Sequence, residues 1–450
     1  MRLSSLTPAA TLSLFVLTLP SFGAALAEEI VFTVGGDKAA GKAAAQSGRG
    51  KWVSQPSKAF RLAAAAIQDG GDVDVIVRIA EGEYGGDLGS GAYTLPSLRG
   101  SEATFTIEGG WSASFESREP FRTPTTFVTN RGRSQPMLKF RPSTPADQDE
   151  LEAMTLDGIF FDAGESNNYD SETNSLLKRG SCTHVQIHFG YLRTDALVIQ
   201  NCGFLNTAHR AFETLIRCAS DETEIRIENN LFLNNLIPVK LDTARYRHKA
   251  KRMVVRGNSF LMNWALNPDP DTSNPGALEL GSVDGTSEIL LERNLFYANF
   301  GGAILALPKR LPSLTLVDNN FVGNGLLHGD PAPDAVSMIV EVNHRKMPLP
   351  LDLLEEVMAV EEAVGNVSIA PGLPLALGEV QTVDASAIKP KEGWENEVRR
   401  MLGQNLDGGT VAISGFAPRK NYDPSRPPIP TNESARGYGI QFEVATVGAQ

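Results

Sequence analysis

The sequence predicts an all-β solenoid of short stacked strands, and three observations predict it: a recurring eight-residue motif, apolar alternation inside each copy, and an asparagine and a phenylalanine held at fixed places in it. Five copies align without gaps, at 197–204 (LVIQNCGF), 225–232 (IRIENNLF), 253–260 (MVVRGNSF), 289–296 (ILLERNLF) and 314–321 (LTLVDNNF), with a degenerate sixth at 154–161 (MTLDGIFF). Successive full copies start 28, 28, 36 and 25 residues apart, as expected of a unit that expels extra residues into loops.

Positions one and three of every full copy are apolar, the alternation of a strand with one buried face. Position six is Asn230, Asn258, Asn294 and Asn319, with Cys202 in the first full copy; asparagine there tolerates a left-handed turn, and stacked amides can bond to one another as a ladder. Position eight is Phe161, Phe204, Phe232, Phe260, Phe296 and Phe321, which predicts an internal aromatic column. A second strand follows most copies, beginning at Phe212, Pro238, Ala277, Gly302 and Val336. Insertions fall at 164–193 and 267–274.

These features resemble the right-handed parallel β-helix superfamily, the pectin-lyase-like group that includes pectate lyases and polygalacturonases. The resemblance covers residues 58–345, where 58–67 reads as an N-terminal capping helix and 75–84 as the family's first strand with its Gly-x-Tyr turn. Residues 28–57 form a separate N-terminal segment. Over 346–450 the pattern changes: 351–364 and 394–402 have helical spacing, 365–369 returns to a strand, and 418–435 is a Pro- and Ser-rich extended tail, together a helical and irregular cap on the open end.

Arg2, the apolar run 9–19 and Ala25, Leu26 and Ala27 form a secretory signal peptide, cleaved after Ala27, which predicts a secreted or periplasmic protein without a membrane span. A net charge of -12 argues against nucleic acid. The three cysteines are too few for a disulfide framework; one pair, Cys182 with Cys218, and a free buried thiol are expected.

Chemistry has to come from outward positions. Position four reads Gln200, Glu228, Arg256, Glu292 and Val317, with Arg226 beside Glu228, and the second strand contributes a parallel row at Glu213, Lys240 and Glu279. Such rows are either surface ion-pair ladders or a sugar-contacting face, since carboxylates and guanidinium groups both bind hydroxyls and arginine forks onto carboxylates. Residues 240–252 concentrate basic groups in an acidic chain; Tyr246, Arg247, His248 and Lys249 are the residue types a uronate lyase uses to neutralise a carboxylate and remove a proton, although a solvated loop has the same composition. Asp162, Glu165, Asp170, Glu172, Asp269 and Asp271 offer oxygen ligands for Ca²⁺ or are ordinary turn residues, and no cofactor is expected. His184 and His188 share a strand face without metal-site spacing.

The resemblance does not extend to the family's catalytic motifs. The chain has no Asp-Asp pair and no Gly-His-Gly, and the outward positions matching the pectate lyase Ca²⁺ site hold Gln200, Glu228, Arg256 and Glu292. The expected function is therefore binding of an extended polysaccharide, anionic or not, along the strand faces; a polysaccharide lyase or epimerase using residues 240–252 and a structural or adhesive envelope protein are the alternatives.

Overall fold

The structure, a computed structural model, describes residues 27–45, 49–69, 71–87, 90–129, 136–140, 150–163, 169–170, 175–176, 185–188, 192–207, 210–213, 217–218, 221–235, 237–242, 250–263, 276–282, 287–299, 302–306, 313–324, 336–342, 345–356, 360–374, 382–383, 411–412 and 422–441. Three long parallel sheets dominate it, and the chain visits them in rotation. One circuit runs through Glu224–Glu228 in the first sheet, Leu231–Leu233 in the second and Ile237–Asp242 in the third, then re-enters the first at Arg252–Arg256. Each strand pairs in parallel with its counterpart one circuit away. Among the described residues there are two α-helices, α1 (Lys38–Ala44) and α2 (Pro56–Asp69).

The register follows the repeat without a slip through its full copies: Leu197 faces Ile225, Ile225 faces Met253, Met253 faces Ile289 and Ile289 faces Leu314. Side chains alternate across a strand, so fixing one apolar position fixes which face every residue takes. Positions one and three are buried in one continuous core. Position eight stacks as expected, with centroids of Phe204, Phe232, Phe260, Phe296 and Phe321 between 4.7 and 5.1 Å apart and rings within 8° of parallel. That distance is the spacing between neighbouring strands, so the column is a direct product of the register. It continues through Phe161, stacked on Phe204 at 5.5 Å, and ends edge-on at Phe127; Tyr93 is tilted against Phe127 and meets Phe60 of α2. With Pro56 at its first position and Ala59, Phe60, Ala63 and Ile67 buried, α2 packs against this end, two residues longer each way than the 58–67 read from sequence.

Two corners in each circuit explain the asparagines. At the first, Gly158, Asn201, Asn229, Gly257, Arg293, Asp318 and Gly365 all have φ between 51° and 72°. The left-handed turn is therefore at position five, one residue earlier than the sequence suggests. It swings the next residue inward, where Asn230, Asn258, Asn294, Asn319 and Asn366 form a ladder whose amides bond at 2.9–3.0 Å. Each Oδ1 also accepts the backbone N–H of the preceding member. At Cys202 the thiol takes the asparagine's place, donating to the Gln200 carbonyl at 3.1 Å. The second corner repeats the device: Asn206, Asn234, Met262, Ala298 and Gly323 are left-handed, and Asn235, Asn263, Asn299 and Asn324 form a second buried ladder.

The ladder of parallel strands reaches further toward both termini than 58–345. Glu28–Val34 pairs with Val73–Ala80 ahead of the first recognised strand. At the other end, 351–364 is not one helix: Leu351–Glu356 is a short 3-10 turn, and Val360–Val364 joins the first sheet beside Ser313–Val317. Its Val, Glu and Ala spacing fits a helix as well as a strand, and stacking on the preceding circuit decides the matter. Val367 then bonds to Phe321 and Asn319, so the strand expected at 365–369 is a single parallel bridge. Residues 394–402 lie outside the described ones, as do Cys182 and the side chain of Cys218; Cys202 is free and buried.

The outer face of the second sheet is apolar, and the chain covers it itself. Residues 422–441 run along it as a strap: Tyr422 packs on Phe160 and donates to the Phe121 carbonyl at 2.5 Å, and Ile440 joins Leu205, Leu231, Leu233, Leu261 and Leu295 in a satellite core. Among the described residues no helix is long and apolar enough to cross a membrane.

Candidate functional site

The outer face of the first sheet is built three side chains wide by alternation along each strand. Register places Gln200, Glu228, Arg256, Glu292 and Val317 in one row and Val198, Arg226, Val254, Leu290 and Thr315 in the next. A third row, Glu224, Arg252 and Glu288, is not among the sequence candidates, although these residues directly precede the repeat copies and extend the same alternation one step back. Two Glu, Arg, Glu columns thus flank a central one in which Arg226 and Val254 are neighbours. Val254 is only 2% exposed despite pointing outward, as expected where long charged side chains lay their aliphatic stems over an apolar one.

Within the face Arg256 is the junction. Its Nε donates to Glu292 at 2.8 Å and its Nη1 lies 3.5 Å from Glu228, leaving the side chain 46% exposed. Exposed pairs of this kind contribute about 0–1 kcal/mol each, so the row stabilises the fold little and remains available to a ligand. Arg226 is exposed, and no acceptor meets it among the described residues. Next to this row, at the corner with the second sheet, lies a cleft of about 320 Å³ bounded by Glu228, Asn229, Arg256, Gly257, Arg293, Gly437 and Gln441. Further along the same face a larger hollow of about 710 Å³ is lined by Arg252, Glu288, Ser313, Thr315, Glu361 and Glu362, among others.

Upstream, the position-four row changes use. Asp157, 7% exposed, accepts from Gln200 and Asn201 at 2.8 Å and pairs with Arg118, which also donates to the Gly109 carbonyl. This cluster ties the segment after Trp111 to the sheet, which makes it structural.

The third-sheet row is also in register, with Glu213 facing Lys240 and Lys240 facing Glu279. Lys240 is 9% exposed and its Nζ is 3.6 Å from Glu279, so this pair is largely withdrawn from solvent, unlike Arg256. The side chain of Glu213 lies outside the described residues, as do Tyr246, Arg247, His248 and Lys249, and as do the side chains of His184 and His188. Of the carboxylates weighed for Ca²⁺, Asp162 accepts from Asn206 Nδ2 at 2.8 Å as a corner residue. The side chains of the other five, Glu165, Asp170, Glu172, Asp269 and Asp271, lie outside the described residues. Among the described residues no group of three metal-ligating side chains comes together.

No family profile, curated protein or solved structure matches the chain.

Proposed function

We propose that the protein is an exported right-handed parallel β-helix of the pectin-lyase-like kind, and that it binds an extended, anionic polysaccharide along the outer face of its first sheet. The observation that carries this reading is the row of Glu228, Arg256 and Glu292 with Arg226 beside it, in register on one open face. Strands repeat at about 4.8 Å along such a face, so donors and acceptors recur at a constant interval that suits a periodic ligand. Guanidinium groups fork onto carboxylates or sulfates, and the glutamates accept from hydroxyls.

The test is retention on a glycan array, followed by affinity electrophoresis of the full chain in gels containing a soluble polyuronate. The native protein is retarded, and Arg226→Ala and Arg256→Ala each weaken retardation roughly tenfold, the equivalent of about 1.4 kcal/mol. Binding to no glycan would sink the proposal and favour a rigid envelope spacer. Release of unsaturated uronate, followed by its ultraviolet absorbance, would replace it with the lyase or epimerase alternative.

A further inference from the structure

The cleft beside Arg256 is a missing rung. On the outside of the first corner, Asn201 donates to Asp157 at 2.8 Å and Asn229 donates to Asn201 at 2.7 Å, one circuit after another. The next corner residue is Gly257, which has no side chain to continue the series, and the one after it is Arg293. A Cβ on Gly257 would meet the Gly439 carbonyl at 3.6 Å in ordinary van der Waals contact, so a side chain fits there without a clash. Gly437 on the strap side has nothing within 4 Å of an added Cβ, so there the cleft is open.

The strap forms the opposite wall through few bonds. Gln441 N–H donates to Asn229 Oδ1 at 2.5 Å, Asn229 Nδ2 returns a bond to the Gln441 carbonyl at 3.0 Å, and Gly439 N–H donates to the Arg293 carbonyl at 2.8 Å. The Arg293 side chain is 60% exposed, and its only partner among the described residues is Glu292, at 3.9 Å from Nε. Arg293 and Arg256, with Glu228 beside them, line a hollow at the small end of the ligand-pocket range.

We propose that this cleft is an oxyanion subsite completed by the strap, and that a carboxylate or sulfate seated against Arg293 and Arg256 holds the strap down. Asn229 positions the strap without touching the anion. The idea rests on the polysaccharide reading only for the identity of the polymer. Because the site lacks a wall when the strap lifts, the anion binds the docked form preferentially and slows opening by a factor of one plus the ratio of its concentration to Kd.

The experiment is hydrogen exchange of the Gly439, Ile440 and Gln441 amides in the full chain, in sodium sulfate and in sodium chloride of equal ionic strength. Sulfate at about four times its Kd slows these amides roughly fivefold relative to chloride. Arg293→Gln abolishes the difference, as does Gly257→Asn, which refills the rung with a residue that tolerates the left-handed turn. A uronate oligomer and a sulfated oligomer of equal length, in separate arms, tell which group the cleft prefers. Equal rates in the two salts, or a difference that survives Arg293→Gln, would overturn the proposal. Slowing by sulfate without retention of any glycan would refute the polysaccharide reading and leave the cleft standing; glycan retention without slowing would do the reverse.

Discussion

Truncating one member of the first asparagine ladder tests whether these amides hold the circuits together. In Asn258→Ala four side-chain bonds disappear: Oδ1 no longer accepts from Asn230 N–H at 2.9 Å or Asn230 Nδ2 at 3.0 Å, and Nδ2 no longer donates to the Ile227 carbonyl at 2.8 Å or Asn294 Oδ1 at 3.0 Å. Two of the partners keep other bonds: Asn230 Nδ2 retains the Ile199 carbonyl and Asn294 Oδ1 retains the Asn258 N–H. The Asn230 N–H is stranded in a fully buried site, at about 1–3 kcal/mol, and the shared bonds add about 1 kcal/mol each, so the expected loss is about 3–5 kcal/mol. The assay is urea unfolding followed by circular dichroism and tryptophan fluorescence, with Arg256→Ala as a surface control expected to cost about 0–1 kcal/mol. Neighbouring circuits can open separately, so exchange of the Asn230 amide is followed as a local readout. A loss below about 1 kcal/mol, or one no larger than the control's, would refute the reasoning.

Three further outcomes follow from the packing. Phe260→Ala, which removes a ring stacked at 4.8 and 4.7 Å between its neighbours, should cost about 3–5 kcal/mol in the same titration, and an effect under about 1.5 would mean that the column closes up. Asp157→Ala strands Arg118 and should cost about 3–5 kcal/mol while leaving glycan retention intact; a purely functional loss would contradict the structural role. Burial pushes the Tyr422 phenol above its ordinary value of 10.0, so the folded protein holds this proton more tightly than the unfolded chain does. The strap's stability is then complete below that value and declines as pH rises beyond it, where the protection of its amides, corrected for base-catalysed intrinsic exchange, should fall in the native protein but not in Tyr422→Phe.

Much of the architecture is legible because identical residues recur at identical positions. Phe232, Phe260 and Phe296 announce a column, and position four announces its row, since alternation and register leave no freedom once the buried face is known. The second asparagine ladder has a signal that the eight-residue window cuts off: Asn235, Asn263, Asn299 and Asn324 each fall three residues after the stacked phenylalanine. A left-handed turn at position six is the wrong expectation because Asn230 and Asn258 look like turn residues, while position five, which carries the turn at Asn201, Asn229, Gly257, Asp318 and Gly365, is masked as a turn column by Arg293. The strap is legible only as an extended tail, because its partners in the chain are some two hundred residues distant, as Gln441 is from Asn229. Arg293 gives no sequence signal as a candidate because its role depends on that tail.

The strap also has a bearing on how the protein is made. Translation delivers residues 422–441 after every strand they cover, so a nascent chain presents Leu205, Leu231, Leu233, Leu261 and Leu295 as a bare greasy strip until that segment emerges. A premature stop upstream of Tyr422 would spare each of those strands and still yield a sticky product, making the strap a checkpoint for solubility.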